Sequence, residues 1–204
     1  MKKNRVSFLL KNTTMFAIGN FSTKVISFLF VPIYTRVLTT SDYGIIDLLI
    51  NLSGLLIPIL ILNINESILR YSLNEDADNN KIMSIGLFFV LIASTIGIAI
   101  IPLSKLFSNI SSYSIYLYLF FILATINQIF NINLRGQKKV LHFSISNIMQ
   151  ALILALLNIY FLVFLKLGIK GYLISYIISY LISITYSFIT GKVYIALKNF
   201  KIDK

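Results

Sequence analysis

The chain has 204 residues, of which 57% are hydrophobic and only 12% charged, with a mean hydropathy of +0.86. Soluble domains carry about 25% charged residues, so an ordinary soluble globular domain is excluded, and the formal charge of +11 does not mark a nucleic-acid binder because the cations sit between long uncharged runs. Cysteine is absent, which removes disulfides and thiolate metal sites.

The opening, "MKKNRVSFLLKNTT", has the charge of a signal peptide. It lacks a small-residue cleavage site, and Lys11 interrupts its apolar patch, so residues 1–12 are expected to stay as a basic cytoplasmic segment. The first expected span, about 13–35, contains Lys24 with Asn20 and Ser27 at three-to-four spacing on one helix face. A lysine at the centre of a spanning helix costs about 2.5–3.5 kcal/mol on insertion scales. Lys24 lies about 16 Å from either end of the span at 1.5 Å per residue, too far for its ammonium to reach the interface. It therefore requires an acidic partner, water, or an anionic ligand.

The second span, about 43–65, offers Asp47, Asn51, Gly54 and Pro58 on one face. An antiparallel pairing of spans one and two would set Asn51 level with Lys24 and Asp47 one turn further out. Two readings follow: a structural Lys24–Asp47 pair, or a hydrated cavity where Pro32 and Pro58 bend the helices. The loop "ESILRYSLNEDADNNK" (66–81) places Glu66 and Arg70 four apart, the spacing of a helix pair, ahead of Glu75, Asp76 and Asp78. It reads as a cytoplasmic continuation of span two.

Span three covers about 82–104. Span four, about 113–134, carries Asn127, Gln128 and Asn131, with Arg135 just beyond; span five, about 143–165, carries Asn147, Gln150 and Asn158. These amides can bind hydroxyl-rich ligands such as sugars, or pair between helices at about 0.6 kcal/mol each. In span six, about 170–191, Gly171, Ser175, Ser179, Ser183, Ser187 and Gly191 recur at every fourth residue beside a ridge of Tyr172, Tyr176 and Tyr180. Small residues at that spacing admit another helix closely, so this stripe reads as packing. Residues 192–204 form a basic tail.

Uncharged runs of about 20 residues fit helices that cross a bilayer and do not show the alternation of barrel strands. The fold class is thus an all-α integral membrane protein with six spans. Lys and Arg concentrate in the N-terminal tail, the second and fourth loops and the C-terminal tail, which places both termini in the cytoplasm. No Walker loop, GxSxG or HExxH occurs, and His142, the only histidine, has no Cys or carboxylate nearby. Neither an enzyme, a cofactor nor a metal site is expected.

"FLFVPIYTRVLTTSDYGIIDLL" (28–49), with Pro32, Thr35, Arg36, Leu38, Tyr43 and Gly44, resembles the join between spans one and two of the polysaccharide-unit flippases. These are the O-antigen, capsule and teichuronic acid exporters of the multidrug/oligosaccharidyl-lipid/polysaccharide superfamily. "ESILRY" (66–71), "LRGQKK" (134–139) and "LGIKGYLISYIIS" (167–179) follow in the family's order. The resemblance implies one six-helix lobe of a two-lobed alternating-access transporter in a bacterial cytoplasmic membrane. Its substrate would be a polyprenyl diphosphate-linked oligosaccharide, flipped outward for surface polysaccharide synthesis. It further implies that Lys24 occupies the place of a cavity cation that holds the diphosphate. Asn20, Asp47, Asn51, Asn127 and Asn131 are then further cavity candidates, and Glu66, Arg70 and Arg135 form a charged cytoplasmic group. The family normally has twelve to fourteen spans, so the chain is expected to be the N-terminal lobe of a longer protein, or one of two copies. Two alternatives stand beside this reading. One is a cation-coupled drug exporter using Asp47. The other is a non-transporting partner that packs through the span-six stripe.

Overall fold

The computed structural model describes residues 2–74, 76–99, 101–102 and 111–198, with only the backbone described for 2–12, 15, 16 and 18. The end of the expected third span, Lys105, Glu75 and the last six residues lie outside the described residues.

The helices of the described residues are, in chain order, α1 (Lys2–Val37), α2 (Thr40–Leu60), α3 (Ile64–Ser72), α4 (Asn79–Gly97), α5 (Ser114–Gly136), α6 (Val140–Asn158), α7 (Gly168–Thr190) and α8 (Val193–Lys198). A π-helical segment, Ile159–Phe164, prolongs α6. No strand occurs among the described residues. Among the described residues, five helices are long and apolar enough to cross a membrane: α2, α4, α5, α6 with its extension, and α7. Their outward faces carry exposed Leu55, Ile59, Leu91, Leu156 and Phe164, a surface suited to lipid rather than water.

α5 is the centre. It touches α2, α3, α4, α6 and α7, and more than half of its apolar stretch is buried. Four apolar clusters surround it. One joins α3, α4, α5 and α8 through Ile68, Met83, Val90, Ile129 and Val193. Another joins α1, α2 and α7 through Tyr34, Leu38, Ile46 and Tyr172. Two more fasten α2 to α5, through Leu49 and Phe120 and through Ile61 and Phe121.

Two expectations need correction. α1 does not pair along α2; it packs along α6 and meets α2 chiefly around their junction. Gly19 is the cause: a Cβ there would lie 2.7 Å from Ser144 Oγ, so only glycine lets α1 come this close to α6. Farther along, Asn158 Nδ2 donates to Tyr34 Oη at 3.1 Å. The two contacts advance in the same direction along both helices, which therefore run parallel. Secondly, α2 does not continue smoothly into the 66–81 segment. Pro58 removes one helical N–H near its end, Leu62 and Asn63 take left-handed φ values of 50° and 53°, and the chain restarts as α3. That helix buries Asn65, Ile68 and Ser72 against α5 and exposes Glu66 and Arg70.

The "LRGQKK" segment turns α5 into α6 and holds the end of α7. Gln137 Nε2 donates to Gly191 O at 2.8 Å, Asn133 Nδ2 to the same oxygen at 3.2 Å, and Lys139 Nζ to Thr190 O at 2.8 Å. Carbonyls at a helix C-terminus lack intrahelical donors and favour cations, so these side chains complete α7. Burial, and then the neighbouring Lys192, hold the Lys139 ammonium below the usual lysine pKa. Gly136 permits α3 to approach, because a Cβ there would collide with Ser72 Cβ.

Gly136→Ala should therefore lower stability by about 1–3 kcal/mol through overpacking. Gly54→Ala, with nothing within 4 Å of the added carbon, should be neutral or stabilising. Thermal unfolding in detergent reads both.

Candidate functional site

A polar seam runs between α5, α6 and α7. Ser146 Oγ of α6 bonds Ser183 Oγ at 2.8 Å and Ser187 Oγ at 2.9 Å on α7. Those serines donate on to α5: Ser183 to Asn127 Oδ1 at 2.8 Å and Ser187 to Asn131 Oδ1 at 3.4 Å. The circuit closes on α6, where Asn127 Nδ2 donates to Gln150 Oε1 at 3.1 Å and Asn131 Nδ2 to Asn147 Oδ1 at 3.4 Å. Helical spacing accounts for the arrangement, since 127 and 131, 146 and 150, and 183 and 187 each lie one turn apart. Ser175, Ser179, Ser183 and Ser187 are fully buried. The stripe of α7 is therefore covered within the chain, which removes it as a docking surface for a separate partner. Ser183 and Ser187 also carry hydrogen bonds that spacing alone did not disclose.

One side of the seam opens into a cavity of about 350 Å³. Its polar walls are Asn127, Gln128, Asn131 and Arg135 of α5, Asn147 of α6, Tyr180 of α7, and Asn63, Asn65 and Glu66 at the α2–α3 break, with Phe143, Ile57, Ala124 and Ile132 as the apolar lining. The Arg135 guanidinium lies over the Phe143 ring, 5.6 Å from its centroid. Asn65 is 3% exposed and its Oδ1 is buried with no hydrogen-bond partner. Four expected site residues thus meet here: Asn127, Asn131, Glu66 and Arg135. Arg70 is exposed on α3 and does not line the cavity, and Glu66 and Arg70 form no ion pair. Asn63 and Asn65 were missed by sequence reasoning; the available signal was a pair of asparagines, "NINE" (63–66), directly after a proline-bent span.

The other candidates lie elsewhere. Asn20, Lys24, Asp47 and Asn51 are all exposed, and among the described residues no ion pair joins Lys24 to Asp47. The parallel packing of α1 on α6 fixes the depth of Lys24. Gly19 meets Ser144, and five residues further on both helices Lys24 comes level with Met149, beside Gln150 and the seam. At about 100° per residue, Asn20, Lys24 and Ser27 fall on the flank of α1 that leads towards Leu38. Asp47, Asn51 and Gly54 fall on the flank of α2 next to Tyr43 and Ile50. Both flanks border the junction of α1, α2 and α7.

An all-helical chain with five apolar helices of spanning length and a polar interior is a multi-pass membrane protein. The sequence profile of the family described as "Polysaccharide biosynthesis protein" matches residues 9–204, and the chain belongs to that family. No match is found among curated proteins or solved structures.

Replacing Asn127 by Leu removes its bonds to Ser183 and Gln150 and should cost about 1–3 kcal/mol of stability, the sum of two lost interhelical hydrogen bonds. Gln128→Leu, at an exposed position, should change stability by less than about 0.5 kcal/mol. Unfolding midpoints of the two variants, compared in one detergent, decide this.

Proposed function

We propose that the protein translocates a lipid-linked oligosaccharide across a bacterial cytoplasmic membrane for surface polysaccharide synthesis, without acting as an enzyme. Membership of the polysaccharide biosynthesis family supports the substrate class. In this reading α1 is a sixth span, both termini are cytoplasmic, and the helices form one lobe that faces a second lobe or a second copy across a wet cavity.

The observation that carries the reading is Lys24. It is exposed midway along α1, at the depth of the seam, with Asn20 and Ser27 on its flank. An ammonium facing lipid at that depth would be costly, whereas one facing a hydrated cavity can hold an anion. The diphosphate of a lipid-linked sugar supplies that anion, and Asn20 and Asn51 supply hydrogen bonds near it. Asp47, on the neighbouring helix, limits the local positive charge and favours release as well as capture. Alternating access moves this face between the two sides of the membrane.

Lys24→Ala should reduce surface glycan at least about tenfold, equivalent to about 1.4 kcal/mol of lost binding, while Lys24→Arg retains most of it. Normal glycan in a well-expressed Lys24→Ala strain removes Lys24 from the mechanism. Drug sensitivity that follows Asp47→Asn with glycan unchanged would point instead to a cation-coupled exporter.

A further inference from the structure

We infer that the cavity between the α2–α3 break and α5–α7 is a saccharide site selective for an uncharged, hydroxyl-rich sugar unit, with Asn65 as its discriminating residue. The inference rests on the translocation reading for the ligand's attachment to lipid, and it adds the chemical class of the sugar.

Size comes first. A cavity of about 350 Å³ falls at the lower end of the roughly 300–1,000 Å³ range of small-molecule sites. It accommodates one or two sugar rings rather than a whole repeat unit. Its walls present amides, each able to donate and accept. Asn127 and Asn131 are held in fixed orientation by Ser183, Ser187, Gln150 and Asn147, and each retains one N–H and one lone pair. Preorganised groups of this kind lose little entropy on binding.

Asn65 supplies the selectivity. Its Oδ1 is buried without a donor, and a buried acceptor left unpaired is destabilising. A ligand hydroxyl relieves that cost by donating to it; a uronate seated with its carboxylate at this oxygen would set acceptor against acceptor. Formal charge points the same way. Glu66 and Arg135 line the cavity with one charge of each sign, and Arg135 already lies against Phe143. A carboxylate entering there would gain no net positive charge to offset its lost hydration. Lys24 lines no part of this cavity, so an anionic diphosphate and a neutral sugar would occupy different places on the lobe.

The absence of cysteine allows a direct test. Gln128→Cys places one thiol at an exposed position on the cavity wall. Its labelling by a water-soluble thiol reagent is timed in leaky membranes holding the full chain, with cellobiose or cellobiouronic acid added at equal concentration. These disaccharides differ by one hydroxymethyl group oxidised to a carboxylate. Cellobiose should slow labelling about threefold at twice its dissociation constant, and the acid should not. Adding Asn65→Leu should abolish the protection, whereas Asn65→Asp, which keeps an acceptor, should preserve it. Equal or greater protection by the acid, or none by either sugar, overturns the inference. Should Asn65→Leu fail to insert, the comparison of the two sugars in Gln128→Cys alone still decides. The assay reads binding without transport, so glycan loss in Lys24→Ala together with no cellobiose protection would leave translocation standing and remove this site.

Discussion

The structure depends on a short circuit of hydroxyl and amide groups held between three apolar helices. In lipid, burying one apolar face against another gains little, and helix association relies on close packing and interhelical hydrogen bonds. Ser146 meets both Ser183 and Ser187, and those serines meet Asn127 and Asn131. With the amide links to Gln150 and Asn147, the circuit fixes the rotation of α5, α6 and α7 about their own axes. Three hydroxyl protons serve four hydroxyl contacts, so at most five of the six bonds hold at once. At about 0.6 kcal/mol per bond they give roughly 3 kcal/mol, modest in energy and demanding in geometry. Rotating any one helix would break several of them together.

Around this triad the other helices attach by different means. α1 depends on the missing side chain of Gly19 and the Tyr34–Asn158 bond. α2 joins through Leu49, Ile57 and Ile61. α3 and α4 attach through an apolar cluster centred on Ile68 and Met83, helped by the close approach of Ser72 to Gly136. The polar cavity forms where the two kinds of attachment meet. There α2 ends early, and α3 covers amides that the triad has already oriented.

Composition and periodicity disclosed the helical membrane class and left the amides open between ligand binding and helix-to-helix pairing. The stripe of α7 was legible as packing because every fourth residue is small, but its hydrogen bonds were not, since they depend on which helix lies opposite. Neighbours were the main failure. Spans adjacent in sequence suggested a Lys24–Asp47 pair, yet the partner of α1 lies more than a hundred residues away. One glycine facing one serine decided that choice, and neither stands out in the sequence. The break after Leu60 was half visible in Pro58; the left-handed turn at Leu62 was not, because leucine rarely adopts it.

The ties at the end of α7 have a mechanical consequence. Gln137, Lys139 and Asn133 clamp its terminal carbonyls to the turn between α5 and α6, so three helix ends on one side are fastened to one another as well as at the seam, one to two turns further in. A triad held at two levels resists shear and behaves as a rigid strut. Any bending of the helix bundle must then be taken up where the backbone is interrupted. Ile61–Asn63 is such a place, which makes α3 a lever whose short arm ends on the polar cavity.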